Sequence, residues 1–167
     1  MNTRTKKIVL AALMASLVCV ATMIIKLPSP LKGYLNLGDC VVLVSGWMLS
    51  PTYGFLAAGF GSALADVFSG YAIYAPATFV IKGLMALIAF YGFKWIHKKL
   101  GSFSSRIISA VAAEILMILG YFVFEGFMYG FVPSLVNIPA NGVQGVAGCI
   151  IGTLLMKVFE QSKITME

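Results

Sequence analysis

The chain has 167 residues, of which 60% are hydrophobic and 11% charged, and its mean hydropathy is +0.95. A soluble domain has roughly 45–50% apolar and about 25% charged residues. This composition therefore excludes an ordinary soluble enzyme, a disordered protein and a nucleic-acid-binding module. The net charge of +6 comes from basic residues at the ends of apolar runs, which is typical of membrane loops.

The apolar runs predict six transmembrane helices, because a bilayer core of roughly 30 Å takes about 20 apolar residues per helix. We therefore expect an all-α membrane protein that forms a single domain over 1–167. The predicted helices span about 6–26, 39–50, 52–69, 76–96, 105–128 and 139–159. Proline, glycine and polar residues predict the connections: loops over 27–37, 70–75 and 129–138, and a basic turn over 97–106.

The basic residues predict the orientation in the membrane. With the N-terminus inside, nine Lys and Arg residues lie on the inner side and only Lys26 and Lys32 on the outer side. Cytoplasmic loops carry such an excess of Lys and Arg. Both termini are therefore expected in the cytoplasm, and the three irregular loops are expected outside.

Ionisable residues inside a membrane are costly and rare, so each one is a functional candidate. Asp39, Asp66, Lys82 and Glu125 all fall in the outer half of the predicted helices, whereas the inner half has only Glu114. This asymmetry indicates a polar pocket that opens outward. The alternative is that these groups satisfy one another, with Lys82 paired to Asp66 or Glu125 and with Asp39 capping the second helix.

The predicted sixth helix adds a polar face to this region. Asn137, Asn141 and Gln144 are spaced i, i+4 and i+7, so they share one side of the helix. Tyrosines beside the outer helix ends offer faces on which a flat ring can stack. The candidate ligand contacts are Asn36, Asp39, Tyr74, Lys82, Glu125, Tyr129, Asn141 and Gln144.

Several kinds of site have no support in the sequence. The three cysteines fit packing roles, and one histidine does not make a His-based metal site. No catalytic or nucleotide-binding motif is present, so neither a metal nor a cofactor is expected. Glu114 is expected to donate a hydrogen bond between helices in its protonated form, or else to carry protons.

Four stretches are similar to the S components of energy-coupling factor (ECF) vitamin transporters. They are Asn36–Asp39, Gly46–Gly54, Gly61–Asp66 and Tyr74–Gly83, and size, helix number and loop pattern extend the similarity to the whole chain. The resemblance is strongest to the pyridoxine or hydroxymethylpyrimidine branch, and riboflavin is the alternative. It implies a multi-pass protein of the bacterial cytoplasmic membrane that binds a vitamin from outside.

The resemblance also implies partners and argues against an enzyme. ATP would be used by two ATPase subunits, which act with a transmembrane coupling subunit. Ala11 and Ala15 resemble the family's docking motif on the first helix.

The charges of the outer half bear on the substrate. Three carboxylates face a single cation, Lys82, and this excess of negative charge disfavours an anionic substrate. A rival hypothesis is an intramembrane enzyme that uses Asp39, Asp66 and Glu125, and another is a purely structural subunit.

Overall fold

Helices dominate the structure, a computed structural model that describes residues 3–29 and 33–161. Proline helps to set two of the helix starts, because Pro51 opens one helix and Pro76 lies in the first turn of the next. The helices are α1 Thr3–Ile24, α2 Gly38–Met48, α3 Pro51–Phe68, α4 Ala75–Tyr129, α5 Phe131–Ser134 and α6 Asn137–Gln161. The one-turn helix α5 lies inside the predicted loop over 129–138.

Helix α4 is broken at one residue, Gly101, where φ is 74° and ψ is 169°. Glycine adopts a positive φ at little cost, so the chain turns sharply at this point. The break divides α4 into α4a (75–100) and α4b (102–129). The predicted basic turn over 97–106 is therefore wrong in extent, since helix continues on both sides of Gly101.

The predicted loop over 27–37 contains two short strands, which is a correction to the purely helical prediction. β1 Lys26–Pro28 pairs antiparallel with β2 Tyr34–Asn36. Lys26 lies opposite Asn36, and Pro28 lies opposite Tyr34. The hairpin joins α1 to α2 and covers one end of the helical bundle.

Short helix α2 forms the centre of the bundle, where α1, α3, α4 and α6 all pack against it. Val42, Leu43 and Val44 are at most 2% exposed. The core around them contains many alanines, which let neighbouring helices approach closely. Large apolar side chains instead cover the outside, with Leu13, Leu119 and Val146 each more than half exposed.

Among the described residues, three helical segments are long and apolar enough to cross a membrane: Arg4–Ile24, Ala75–Tyr129 and Phe131–Gln161. The second has 55 residues, far more than the roughly 20 that one crossing needs. An apolar exterior around a small-residue core is the pattern of a protein whose surroundings are lipid.

Candidate functional site

A polar pocket lies at the end of the bundle that carries the hairpin. The hairpin, the end of α3, the start of α4a, the end of α4b and the start of α6 surround about 420 Å³ of empty space, part of it open to the outside. The residues that line it are Ser29, Gly33, Tyr34, Asn36, Asp66, Tyr71, Tyr74, Thr78, Tyr121, Glu125, Asn141 and Gln144.

One edge of the pocket is formed by Asp66 from α3. The hydroxyl of Tyr34 donates a hydrogen bond of 2.7 Å to Asp66 Oδ1. Asp66 is 6% exposed, and its Oδ2 atom is buried with no partner in the described part of the chain. Burial, with the Asp66 carboxylate beside it, raises the pKa of Tyr34, so this hydroxyl is a donor at neutral pH.

A second edge is formed by Glu125 from α4b. Asn137 Nδ2 donates to Glu125 Oε1 at 2.9 Å, and the Tyr74 hydroxyl approaches the same oxygen at 3.5 Å. Glu125 is 3% exposed. Its Oε2 atom is buried and also lacks a partner among residues 3–29 and 33–161.

A row of tyrosine rings connects these two edges. The ring centroids of Tyr34 and Tyr71 lie 4.8 Å apart, and those of Tyr71 and Tyr74 lie 6.4 Å apart. Farther along α4a, the hydroxyl of Thr78 lies 3.0 Å from that of Tyr121. One wall of the pocket is therefore aromatic and carries several hydroxyl groups.

Gln144 forms another wall of the pocket and is fixed at both ends of its amide. Its Oε1 atom accepts a 2.9 Å hydrogen bond from the backbone N–H of Asn36. Its Nε2 atom donates to Asp39 Oδ2 at 2.6 Å. The Asn36 side chain in turn accepts from the Gly38 N–H at 2.8 Å. This chain of bonds ties α6 to the hairpin and to α2.

Lys82 lies behind this wall and forms a buried ion pair with Asp39. The alternative in which Lys82 pairs with Asp66 or Glu125 is therefore wrong. The capping by Asp39 that belonged to the same alternative is also wrong, because Leu37 occupies the cap position of α2 and no side chain caps it. Lys82 is 2% exposed and lies 5.5 Å from the centroid of the Tyr121 ring, whereas the pocket is lined by other residues.

The structure brings five of the eight candidate ligand contacts to the pocket lining: Asn36, Tyr74, Glu125, Asn141 and Gln144. Asp39 and Lys82 lie one layer behind them. Tyr129 lies beside Tyr74 but not among the lining residues.

Sequence reasoning left other lining residues out of the candidate list. The sequence predicts Asp66 as an ionisable residue of the outer half and, in the rival hypothesis, as part of an enzyme site, but not as a ligand contact. Tyr34, Tyr71 and Tyr121 belong to the tyrosines expected beside the outer helix ends. Thr78 carried a usable signal, since it is four residues after Tyr74 and therefore on the same helix face. Ser29 carried no signal, because its position depends on the hairpin.

Glu114 lies deeper in the bundle, on α4b. It packs against two glycines of α6: a Cβ atom at Gly148 would lie 2.7 Å from Glu114 Oε1, and one at Gly145 would lie 3.3 Å from Oε2. Both carboxyl oxygens are buried with no partner among the described residues. The expected interhelical hydrogen bond is thus absent from the described part of the chain.

The opposite end of the bundle carries charged residues. Arg106 of α4b forms an ion pair with Glu160 of α6, and the guanidinium carbon of Arg106 lies 5.0 Å from the centroid of the Phe93 ring.

On α1, Ala11 and Ala15 are partly buried against the core, whereas neighbouring Ala12 and Ser16 are exposed. Over the described residues, no group of three or more His, Cys, Asp or Glu is placed to bind a metal.

A helical bundle with an apolar exterior and a small polar pocket at one end defines a class of membrane-embedded ligand-binding protein. The family model described as "ECF-type riboflavin transporter, S component" matches residues 2–161. The chain therefore belongs to this family of S components.

Two relatives extend this comparison. An uncharacterised protein of Pyrococcus woesei is 36% identical over 136 residues, which are 81% of this chain and 88% of the relative. The thiamine precursor transporter HmpT of Lactococcus lactis subsp. cremoris (strain MG1363) is 24% identical over 166 residues, 98% of this chain and 93% of that protein.

Solved structures share the fold. The S component of a bacterial ECF transporter superposes with a TM-score of 0.75 at 22% identity, covering 95% of this chain and 98% of that one. The biotin S component of an ECF-type ABC transporter superposes with a TM-score of 0.61 at 19% identity, covering 94% of this chain and 95% of that one. At these identities the likeness concerns the fold alone.

Membership of this family has direct consequences. S components are all-α integral membrane proteins that bind a vitamin and work with transport and ATPase subunits. They are not enzymes, so the hypothesis of an intramembrane enzyme built on Asp39, Asp66 and Glu125 is not favoured. The resemblance drawn from the sequence is confirmed at the level of the family.

Proposed function

We propose that the chain is the high-affinity substrate-binding subunit of an ATP-driven ECF-type importer, and that it captures a small vitamin or vitamin precursor in the polar pocket. The observation that carries this proposal is the pocket itself. Twelve residues from five elements converge on it, while the exterior of the bundle is apolar.

We propose pyridoxine or a hydroxymethylpyrimidine as the class of substrate. Asp39 neutralises Lys82, and the described lining contains two carboxylates and no Lys or Arg. Such a site suits a neutral or weakly basic ring and disfavours an anion. The similarity to a thiamine precursor transporter supports the same class.

The eight candidates remain the proposed site, six of them as ligand contacts and two as residues behind the pocket wall. Asn36, Glu125, Asn141 and Gln144 would bind polar groups of the ligand, and its ring would stack on Tyr74 or Tyr129. Asp39 and Lys82 would act through Gln144, because Asp39 fixes the Gln144 amide.

Riboflavin is a second candidate substrate, since the matching family model carries that name. The tyrosine row also suits its flat ring system, because aromatic rings stack well on one another. Riboflavin is much larger than a pyridoxine, so it would require the pocket to open farther.

We also propose six membrane crossings with both termini in the cytoplasm. The break at Gly101 supports two crossings within α4, and α2 and α3 would supply two more. The pocket would then face outward, since the hairpin end lies away from the basic segment around 94–106 and from Thr3 and Gln161, where α1 begins and α6 ends. That the whole of 1–167 forms one domain stays a prediction.

For the partners, we propose a transmembrane coupling subunit and two ATPase subunits that use the ATP, with no metal or cofactor on this chain. Ala11 and Ala15 would form the docking face on α1. Both are partly buried against the core, so the exposed side chains of Ala12 and Ser16 would border that face.

The test is to purify the chain in detergent, extract any bound small molecule and identify it by mass spectrometry. We expect a vitamin or vitamin precursor at close to one molecule per chain. Uptake of that compound by cells should require both this chain and the ATPase subunits. Repeated recovery of empty protein that binds no vitamin when titrated would contradict the proposal.

A further inference from the structure

Each of the two pocket carboxylates has one oxygen that the described residues leave unused. Asp66 Oδ2 and Glu125 Oε2 are both buried without a partner in the described part of the chain. A buried acceptor that loses its water and gains no donor costs free energy. In each case the other oxygen is occupied, by Tyr34 and by Asn137, so both carboxylates are already oriented.

The unused oxygens lie at the two ends of the tyrosine row, since Tyr34 contacts Asp66 and Tyr74 contacts Glu125. A flat ring beside the rings of Tyr34, Tyr71 and Tyr74 would therefore have an acceptor near each end. The described pocket lining adds no Lys or Arg that would compete for these oxygens.

The nearby cations that the structure describes are held elsewhere. Lys82 pairs with Asp39 behind Gln144. Lys26 donates to Ser69 Oγ at 3.0 Å, and its ammonium lies 5.9 Å from the centroid of the Tyr34 ring. Among the described residues no free cation faces these oxygens, so a positive or donor group of the ligand would complete the site.

We infer that the pocket selects a planar nitrogen heterocycle that carries an exocyclic amino group, and that Asp66 and Glu125 are its specificity-determining residues. The inference rests on the proposed function and narrows its substrate class. A ligand N–H group placed at these oxygens would donate to them and favour their ionised form, in which a carboxylate only accepts hydrogen bonds. A carbonyl or a second acid placed at the same point leaves them unpaired, and sites of this kind reject such analogues strongly.

Two ligands that differ at one group test the inference: 4-amino-5-hydroxymethyl-2-methylpyrimidine and the analogue with oxygen in place of the 4-amino group. Isothermal titration of the purified protein should give at least about tenfold tighter binding of the amino compound, since hydrogen bonds to charged groups are the strong ones. Equal affinity, or tighter binding of the oxygen analogue, would overturn the inference.

Variants connect the preference to the two carboxylates. Asp66→Asn and Glu125→Gln keep the size of each side chain and an oxygen for its protein donor. Each should reduce the preference for the amino compound severalfold while the melting temperature stays near that of the wild type. Glu160→Gln is the matched control, because it makes the same change from a carboxylate to an amide at the opposite end of the bundle, where Glu160 pairs with Arg106, so the preference should persist. A preference that survives both amide variants would refute the assignment.

Riboflavin and pyridoxine, titrated in parallel, separate this inference from the proposed function. If one of them binds tightly and neither pyrimidine binds, the amino-group selection is wrong and the importer function stands. If none of the four compounds binds and no vitamin is extracted from the protein, both the inference and the proposed function fail.

Discussion

The buried pair of Lys82 and Asp39 shows how one contact changes the interpretation of several residues. Lys82 is only 2% exposed, and the sequence alone leaves open whether it binds ligand or neutralises an acid. The ion pair with Asp39 favours neutralisation. Asp39 in turn accepts from Gln144, so the pair also orients a side chain that lines the pocket.

This pairing predicts a specific rescue. Lys82→Met should destabilise the protein by about 3–5 kcal/mol, because it leaves the buried Asp39 carboxylate without its counter-ion. The double variant Lys82→Met with Asp39→Asn removes both charges and should recover most of that loss. Thermal unfolding in detergent measures the effect, and Lys94→Met, at an exposed lysine, is the control. A double variant no more stable than the single variant would argue against the pair.

At the same scale, sequence reasoning found part of the pocket and missed another part. Helical spacing correctly grouped Asn141 with Gln144, because 3.6 residues per turn is a local property of the chain. The partner of Lys82 was not predictable, since Asp39 lies 43 residues away and several acids were expected at a similar depth. Asp66 is not predicted as a lining residue because its neighbour Tyr34 comes from a hairpin, where the sequence predicts only an irregular loop.

Among the helices, glycine and alanine allow very close contacts. Gly61 of α3 packs against α1 so closely that a Cβ atom at this position would collide with the Ala15 carbonyl oxygen and would lie 2.8 Å from Val18 Cβ. Backbone atoms cannot move away as a flexible side chain does. The distance between α1 and α3 therefore depends on this glycine.

Gly61→Ala should consequently lower the free energy of unfolding by about 1–3 kcal/mol, the usual cost of overpacking. Gly142→Ala is the matched control, because α6 leaves open space around that position, and alanine favours a helix over glycine. In thermal unfolding, the melting temperature should fall for Gly61→Ala, and it should rise or stay unchanged for Gly142→Ala. Equal melting temperatures for both would contradict the close packing of α1 on α3.

The docking face on α1 gives a second prediction for the helices. Ala15→Trp should prevent co-purification with the coupling and ATPase subunits while ligand binding by the isolated chain persists. The large indole ring would project from the small-residue face of α1 and would keep the coupling subunit from packing closely against it. Val146→Trp, on an exposed site of α6, should leave assembly intact. Normal assembly by the Ala15→Trp variant would exclude this face as the docking site.

Helix ends were largely predictable from the sequence, and the short connections were not. Pro51 and Pro76 fix helix starts by local chemistry, and the structure agrees with both. The hairpin over 26–36 was missed because proline is rare within strands and the segment lacks alternating apolar residues. The sequence predicts a longer non-helical turn around Gly101 than the structure has. The basic residues on both sides are helical, and the single residue Gly101 turns the chain.

For the whole molecule, the topology is directly measurable. In a variant without its three native cysteines, a cysteine at Ala72 should react with an impermeant reagent added outside cells, and a cysteine at Lys98 should not. Ala72 lies in the turn beside the pocket, and Lys98 lies near the break at the opposite end of α4a. Labelling of position 98 from outside, with position 72 protected, would reverse the proposed orientation.

The central claim is that the pocket binds a small vitamin-class molecule, and titration of the purified chain tests it most directly. Isothermal titration with pyridoxine, hydroxymethylpyrimidine and riboflavin should find one compound that binds at close to one molecule per chain. Its affinity should fall at least about tenfold in Asn141→Leu, which removes a polar group from the lining, because a buried hydrogen bond to the ligand is lost. Undiminished binding by Asn141→Leu, Glu125→Gln and Tyr74→Phe together, or no binding of any of the compounds by the wild type, would contradict the account.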